Sequence, residues 1–128
     1  MSIQTIIAIG SGGFIGAILR AYISGVVNSN ISHNIPFGTL AVNLLGSFIL
    51  GSLFAFFTYT QIFSPTIKSF LSTGMMGALT TYSTFAMESF FLLNGELYIM
   101  AFSNILLNVI GTIIMAGAGF KLFEAIIK

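Results

Sequence analysis

Gly74-Met75-Met76-Gly77-Ala78-Leu79-Thr80-Thr81-Tyr82-Ser83-Thr84-Phe85 lies in the middle of a long apolar stretch, residues 66–93. Two glycines are followed by a cluster of hydroxyl-bearing and β-branched residues, and both features weaken an α-helix at that point. Hydroxyls can satisfy the backbone groups that a break sets free. Helices broken at the bilayer midplane recur as ion sites. The first half would end in bare carbonyls, fit for a cation, and the second would begin with bare N–H groups, fit for an anion. The opposing reading is a continuous helix whose hydroxyls bond back to the i−4 carbonyl. Residue physics leaves the two level.

Outward from this stretch the whole chain reads as membrane protein. Of 128 residues, 56% are apolar and only 5% are charged. Soluble domains carry about 25% charged residues, so a water-facing surface cannot be assembled from this set. A spanning helix needs about 20 mainly apolar residues. Four segments qualify, at about 3–26, 36–59, 66–93 and 97–123. Between them lie the polar run Asn28–Asn34, the loop Thr60–Pro65 and the tight turn Asn94-Gly95-Glu96, with Pro36 suited to a first helical turn. Unbroken apolar runs do not alternate as barrel strands do. The expected fold is therefore all-α: one domain, an integral membrane four-helix subunit, its third helix either broken or continuous. The chain begins Met1-Ser2-Ile3-Gln4 without a basic segment, and its apolar stretch exceeds the roughly 7–15 residues of a signal core. It reads as a retained span.

Several function classes are disfavoured. Cysteine is absent and His33 is the lone histidine, which leaves no thiolate or zinc site. A net charge of +1 offers no field for nucleic acid. No nucleophile–base pair or carboxylate pair points to an enzyme. An even number of crossings puts both termini on one side, with Lys68, Lys121 and Lys128; Arg20 lies towards the other. That bias is weak for orientation. Copies inserted both ways could pair about an axis in the membrane plane; the plainer reading is one orientation. Gly12 and Gly16 on span one, and Ser47 and Gly51 on span two, make small-residue faces that serve packing within a subunit or between subunits. Four helices enclose little room, so a transport protein of this size should work as an oligomer.

Polar residues inside the spans are the informative ones. Arg20 is either a snorkelling side chain or a charge at a pore mouth. Asn43 needs hydrogen-bond partners, from a neighbouring helix or along a polar path. Asn104, Asn108 and Thr112 share one face of span four by their i, i+4, i+8 spacing. They form a polar rail for a small solute or a seam between helices, and three in register favour the rail. Tyr82 and Phe85 project to one side of span three, where electropositive ring edges can face an anion; ordinary packing is the bland alternative. Glu88 sits one turn further on, in a vestibule or at the interface.

Taken together these residues resemble the Fluc (CrcB) family of fluoride channels over nearly the whole chain. The resemblance rests on Gly12-Gly13-Phe14-Ile15-Gly16-Ala17-Ile18-Leu19-Arg20, on Gly38-Thr39-Leu40-Ala41-Val42-Asn43-Leu44-Leu45-Gly46, and most specifically on Gly74–Phe85 followed by Glu88. It implies an antiparallel, dual-topology dimer with two pores, giving passive fluoride efflux that excludes chloride and protects the cell. It implies a structural sodium ion (Na+) at the dimer centre, held by backbone carbonyls at the positions of Gly77 and Thr80. The family's two pore-lining phenylalanines fall on Tyr82 and Phe85, its pore-mouth arginine on Arg20 and its buried asparagine on Asn43. Its hydroxyl pair falls on Ser83 and Thr84, its polar track on Asn104, Asn108 and Thr112, and its vestibule acid on Glu88. Tyr82 departs from the usual phenylalanine, which touches pore width and wetness. Some family members pair as heterodimers, so a sibling chain is an alternative partner to a second copy.

The expected function is thus a fluoride-selective channel, multi-pass in the cell inner (plasma) membrane, with the lipid bilayer and fluoride ion as its partners. Two rivals remain. A small proton-coupled multidrug exporter needs a membrane-buried carboxylate, whereas span one has no acid and Glu88 lies away from the midplane. The other is a non-transporting membrane assembly subunit held by its glycine faces.

Overall fold

A computed structural model describes residues 1–128, and all regular structure in it is helical. Helix α1 spans Ile3–Asn30 and α2 spans Phe37–Tyr59. The third crossing is made in pieces: α3 (Pro65–Ser69), a π-helical segment (Phe70–Met76), α4 (Gly77–Leu79) and α5 (Tyr82–Asn94). Helix α6 spans Tyr98–Ile127. Helices α1, α2 and α6 are each long and apolar enough to cross a membrane; the interrupted crossing reaches comparable length only as a sum of its parts.

Helix ends run past the expected spans where side chains supply caps. Ser2 starts α1 by accepting from the Thr5 N–H at 3.1 Å. At the far end α1 continues through Asn30 rather than stopping near residue 26. The Ser29 hydroxyl and the Asn30 amide both bond back to the Val26 carbonyl, at 2.9 and 2.8 Å. Asn28 then accepts from the Gly38 N–H at 2.9 Å and closes the α1–α2 hairpin. Pro36 caps α2 instead of occupying its first turn. After α5, the Glu96 N–H reaches Leu93 O and the Leu97 N–H reaches Leu92 O. This pairing is a Schellman end, with Glu96 at φ 61° in the left-handed position usually given to glycine.

Register fixes the sense of each helix. Asn43 meets Asn108 and Tyr59 meets Glu124, both at a separation of 65 residues. A constant offset means that α2 and α6 run parallel. Thr39 meets Glu88 while Asn43 meets Thr81, so α5 runs against α2. Up-down-up-down topology follows, with Met1, Tyr59 and Lys128 towards one side. The cationic ends cluster there: Glu124 accepts from Tyr59 Oη at 2.5 Å, Lys121 Nζ at 2.9 Å and Lys128 Nζ at 3.3 Å. Lys68 lies over the Phe57 ring and Lys128 over that of Tyr59, an arrangement suited to a membrane–water interface.

Backbones touch where small residues allow it. Gly12 and Gly16 pack α1 onto the π-helical segment: a Cβ on Gly16 would collide with the Met75 carbonyl and lie 3.1 Å from Ala78 Cβ. Gly74 answers from the other side, where a Cβ would sit 2.7 Å from Ile9 O. Gly51 likewise presses α2 onto the Ala116 carbonyl of α6. These glycines pack within the subunit. Only 23 of 128 residues are buried, and side chains such as Phe14, Ile99 and Ile113 stand outward. The apolar surface is turned to lipid, which is the expected solvent for it.

Gly16→Leu should destabilise the fold by about 1–3 kcal/mol, the usual range for overpacking. Gly10→Ala, with nothing within 4 Å of the added carbon, should keep or slightly raise its stability, since alanine favours helix over glycine. Thermal unfolding in detergent distinguishes the two.

Candidate functional site

The third crossing uncoils at Thr80-Thr81. Thr80 has φ −84° and ψ 156°, and Thr81 has φ −150° and ψ 117°, both extended. No left-handed glycine makes the break: no glycine has a positive φ, and Gly77 has ordinary helical angles, φ −62° and ψ −33°. Thr80 even makes the back-bond expected of an intact helix, to Met76 O at 3.0 Å, and the chain opens immediately after it.

What holds the break open is Asn43. Its Oδ1 accepts from the Thr81 N–H at 2.8 Å, and its Nδ2 donates to the Thr81 carbonyl at 3.1 Å. A side-chain amide thus pairs with both polar groups of one residue, as a neighbouring strand would. Thr81 also caps α5, its Oγ1 accepting from the Thr84 N–H at 3.3 Å.

The break strands four carbonyls, those of residues 77–80. In a continuous helix the Thr81 N–H would serve the Gly77 carbonyl and the Thr84 N–H that of Thr80. Asn43 takes the first donor and Thr81 Oγ1 the second. Gly77 and Thr80 therefore present backbone oxygens without their helical partners, at the negative end of a helix. No group of three or more histidine, cysteine or carboxylate side chains that could hold a metal ion is present. On the other side of the break, the first N–H groups of α5 have no carbonyl ahead of them in the same helix.

A ladder of amides anchors Asn43 to α6. Its Nδ2 donates to Asn108 Oδ1 at 2.9 Å. Asn108 Nδ2 donates to Asn104 O and Oδ1, at 2.9 and 3.1 Å. Asn104 Nδ2 donates to Ser89 Oγ at 3.0 Å. The ladder is buried, with Asn104 fully enclosed and Asn43 and Asn108 nearly so.

Beside the break is an open-sided cleft of about 370 Å³. Asn43, Thr80, Tyr82, Phe85, Asn108 and Thr112 of the expected set line it, joined by Ser47, Leu50, Thr81, Val109 and Ile113. The Tyr82 and Phe85 rings meet edge to face, centroids 5.4 Å apart. Phe85 is buried, while Tyr82 is 78% exposed at the rim.

The family model described as CrcB-like protein, Camphor Resistance (CrcB), matches residues 7–120. The chain belongs to this family. It is 64% identical over 128 residues to the fluoride-specific ion channel FluC of Nautilia profundicola, covering 100% of both chains. It is 62% identical over 124 residues to the fluoride-specific ion channel FluC of Sulfurimonas denitrificans, 97% of this chain and 96% of that one. The FluC protein of Methanocaldococcus jannaschii is 47% identical over 129 residues, covering 98% and 99%.

Other residues singled out in this CrcB chain lie apart from the cleft. Ser83 and Thr84 are exposed on the outer face of α5, and Gly77 is exposed on α4. Arg20, half-buried on α1, takes no part in the ion pairs, which join Lys121 and Lys128 to Glu124. Glu88 accepts from the Thr39 hydroxyl at 2.8 Å, and its Oε2 is buried without a partner. It faces a second, smaller cavity of about 210 Å³ with Asn34, Pro36 and Phe91, near the α1–α2 loop. Sequence reasoning missed Thr81 and Ser89 as individual residues. Ser47 drew attention only for its size, although its i+4 spacing from Asn43 places both on one face.

Asn43→Leu removes both partners of a buried peptide, at about 1–3 kcal/mol for each unsatisfied group. It should lower the unfolding midpoint in detergent and speed hydrogen exchange at the Thr81 amide. Unchanged exchange there would mean that the break holds itself.

Proposed function

We propose that this chain is the subunit of a fluoride-selective channel of the plasma membrane, giving passive fluoride efflux. The carrying observation is the uncoiled Thr80-Thr81 link opening on a cleft lined by amides, hydroxyls and an aromatic pair. The names printed for its relatives, with up to 64% identity over the full chain, point the same way.

Fluoride is small and strongly hydrated, so a narrow path must replace its water with directed donors. The N-terminal end of α5 supplies a positive potential at the break. The edges of the Tyr82 and Phe85 rings offer weak stations, and Arg20 raises the anion concentration on its side. Weak stations in series let the ion enter and leave. The buried polar ladder through Asn104 and Asn108 keeps the break in position.

The working unit is a homodimer of antiparallel copies. Tyr82, Ser83, Thr84 and the bared Gly77 carbonyl are polar groups on the outside of a membrane subunit. Lipid cannot satisfy them, whereas a second copy can. The small charge bias permits insertion in both directions. A sodium ion fits the carbonyls of Gly77 and Thr80, which are uncharged, oxygen-only and at a helix C-terminal end. When bound it would neutralise their partial charge and tie the two copies together.

Purified protein in liposomes should release fluoride but not chloride, without a proton gradient, as read by ion-selective electrodes. Flux of a lipophilic cation driven by a pH gradient would indicate an exporter, and no flux an assembly subunit. Tyr82→Phe should retain fluoride flux within about threefold, since the ring edge survives and the lost hydroxyl is an exposed one. A Cβ on Gly77 lies 3.7 Å from Ser72 O, an ordinary contact. Gly77→Val should therefore keep its helical content yet lose dimerisation and flux, read by circular dichroism, cross-linking and efflux.

A further inference from the structure

Away from the backbone N–H groups of α5, the cleft has a shortage of free side-chain donors, and Ser47 is where that shortage ends. Both Asn43 amide protons are spent, on Thr81 O and on Asn108 Oδ1. Those of Asn108 go to Asn104. The Thr80 hydroxyl gives its proton to Met76 O and that of Thr112 to Asn108 O. Thr81 Oγ1 bonds Thr84 Oγ1. Polar residues that look like ready donors for an anion thus have none left to give.

Ser47 differs. Serines in membrane helices commonly return their proton to the i−4 carbonyl. Ser11, Ser24, Ser52 and Ser72 do so here, at 2.7–2.9 Å. Ser47 makes no such bond to Asn43 O, and it lines the cleft. By the constant offset of α2 against α6 it stands on the next rung after Asn43–Asn108, opposite Thr112. Tyr82 retains a hydroxyl proton too, but that ring is at the exposed rim.

We propose that Ser47 is an anion-ligating residue, its hydroxyl donating directly to a permeating halide inside the cleft one turn of α2 from Asn43. The inference rests on the fluoride-channel reading and adds the residue that strips water from the ion. It also assigns the Asn43 and Asn108 amides to holding the break rather than to touching the anion. A small, hard anion gains most from a single short O–H donor, so Ser47 contributes to the preference for fluoride.

The test is fluoride efflux from liposomes holding wild type, Ser47→Ala or Ser47→Thr, with dimer state and unfolding midpoint measured alongside. Losing a hydrogen bond to a charged partner should slow flux about tenfold or more. Ser47→Ala should show that fall with wild-type folding, and Ser47→Thr, which restores the hydroxyl, should recover most of it. If Ser47→Ala does not purify, Ser47→Cys, with a weak donor of similar size, replaces it under the same criterion. Efflux within threefold of wild type in a folded Ser47→Ala overturns the proposal, as does a folded Ser47→Thr as slow as Ser47→Ala. Wild type without fluoride flux overturns the channel reading itself, an outcome distinct from either.

Discussion

One side-chain amide closing on one peptide organises this molecule. Asn43 of α2 gives its oxygen to the Thr81 N–H and its nitrogen to the Thr81 carbonyl. In hydrocarbon an unpaired peptide group is prohibitively unfavourable, so a membrane helix stays coiled unless something replaces its own hydrogen bonds. Asn43 is that replacement. Once it is in place, a residue can sit extended at membrane depth, α5 can begin afresh with its own cap, and the carbonyls of residues 77–80 lose their helical donors.

The surrounding fold serves to hold that amide still. A free asparagine would be a poor clamp, because its amide can rotate. The ladder through Asn108, Asn104 and Ser89 fixes the direction of every amide, each nitrogen donating onward to the next oxygen. Satisfied buried networks of this kind specify a single arrangement. The parallel packing of α2 on α6, close enough for Gly51 to meet the Ala116 carbonyl, keeps the two helices in the register the ladder requires. On the other side of the break, the glycines of α1 and Gly74 hold the first half of the crossing tightly in place.

The same arrangement sorts the polar groups by role. The amides of Asn43 and Asn108 have their protons committed within the subunit. Ser83, Thr84 and the Tyr82 ring face outward. Glu88 and Thr39 form a separate polar pair near the α1–α2 loop. Electrostatics across the break is dipolar rather than ionic, since Arg20 and Glu88 both stand away from the cleft.

Composition settled that the chain is a membrane protein, because 5% charged residues cannot make a wet surface, and its unbroken apolar runs made the spans helical. The string from Gly74 to Phe85 located the interruption in the third crossing, and i+4 spacing put Asn104, Asn108 and Thr112 on one face. Sequence could not decide whether the break forms, since a local run of hydroxyls can satisfy a helix as well as leave it. That decision belongs to Asn43, 38 residues away from Thr81, and only packing brings the two together. Nor could spacing show that the amides of α6 are a closed seam rather than open donors. Donor and acceptor are assigned by the partner in space, and that partner is on another helix.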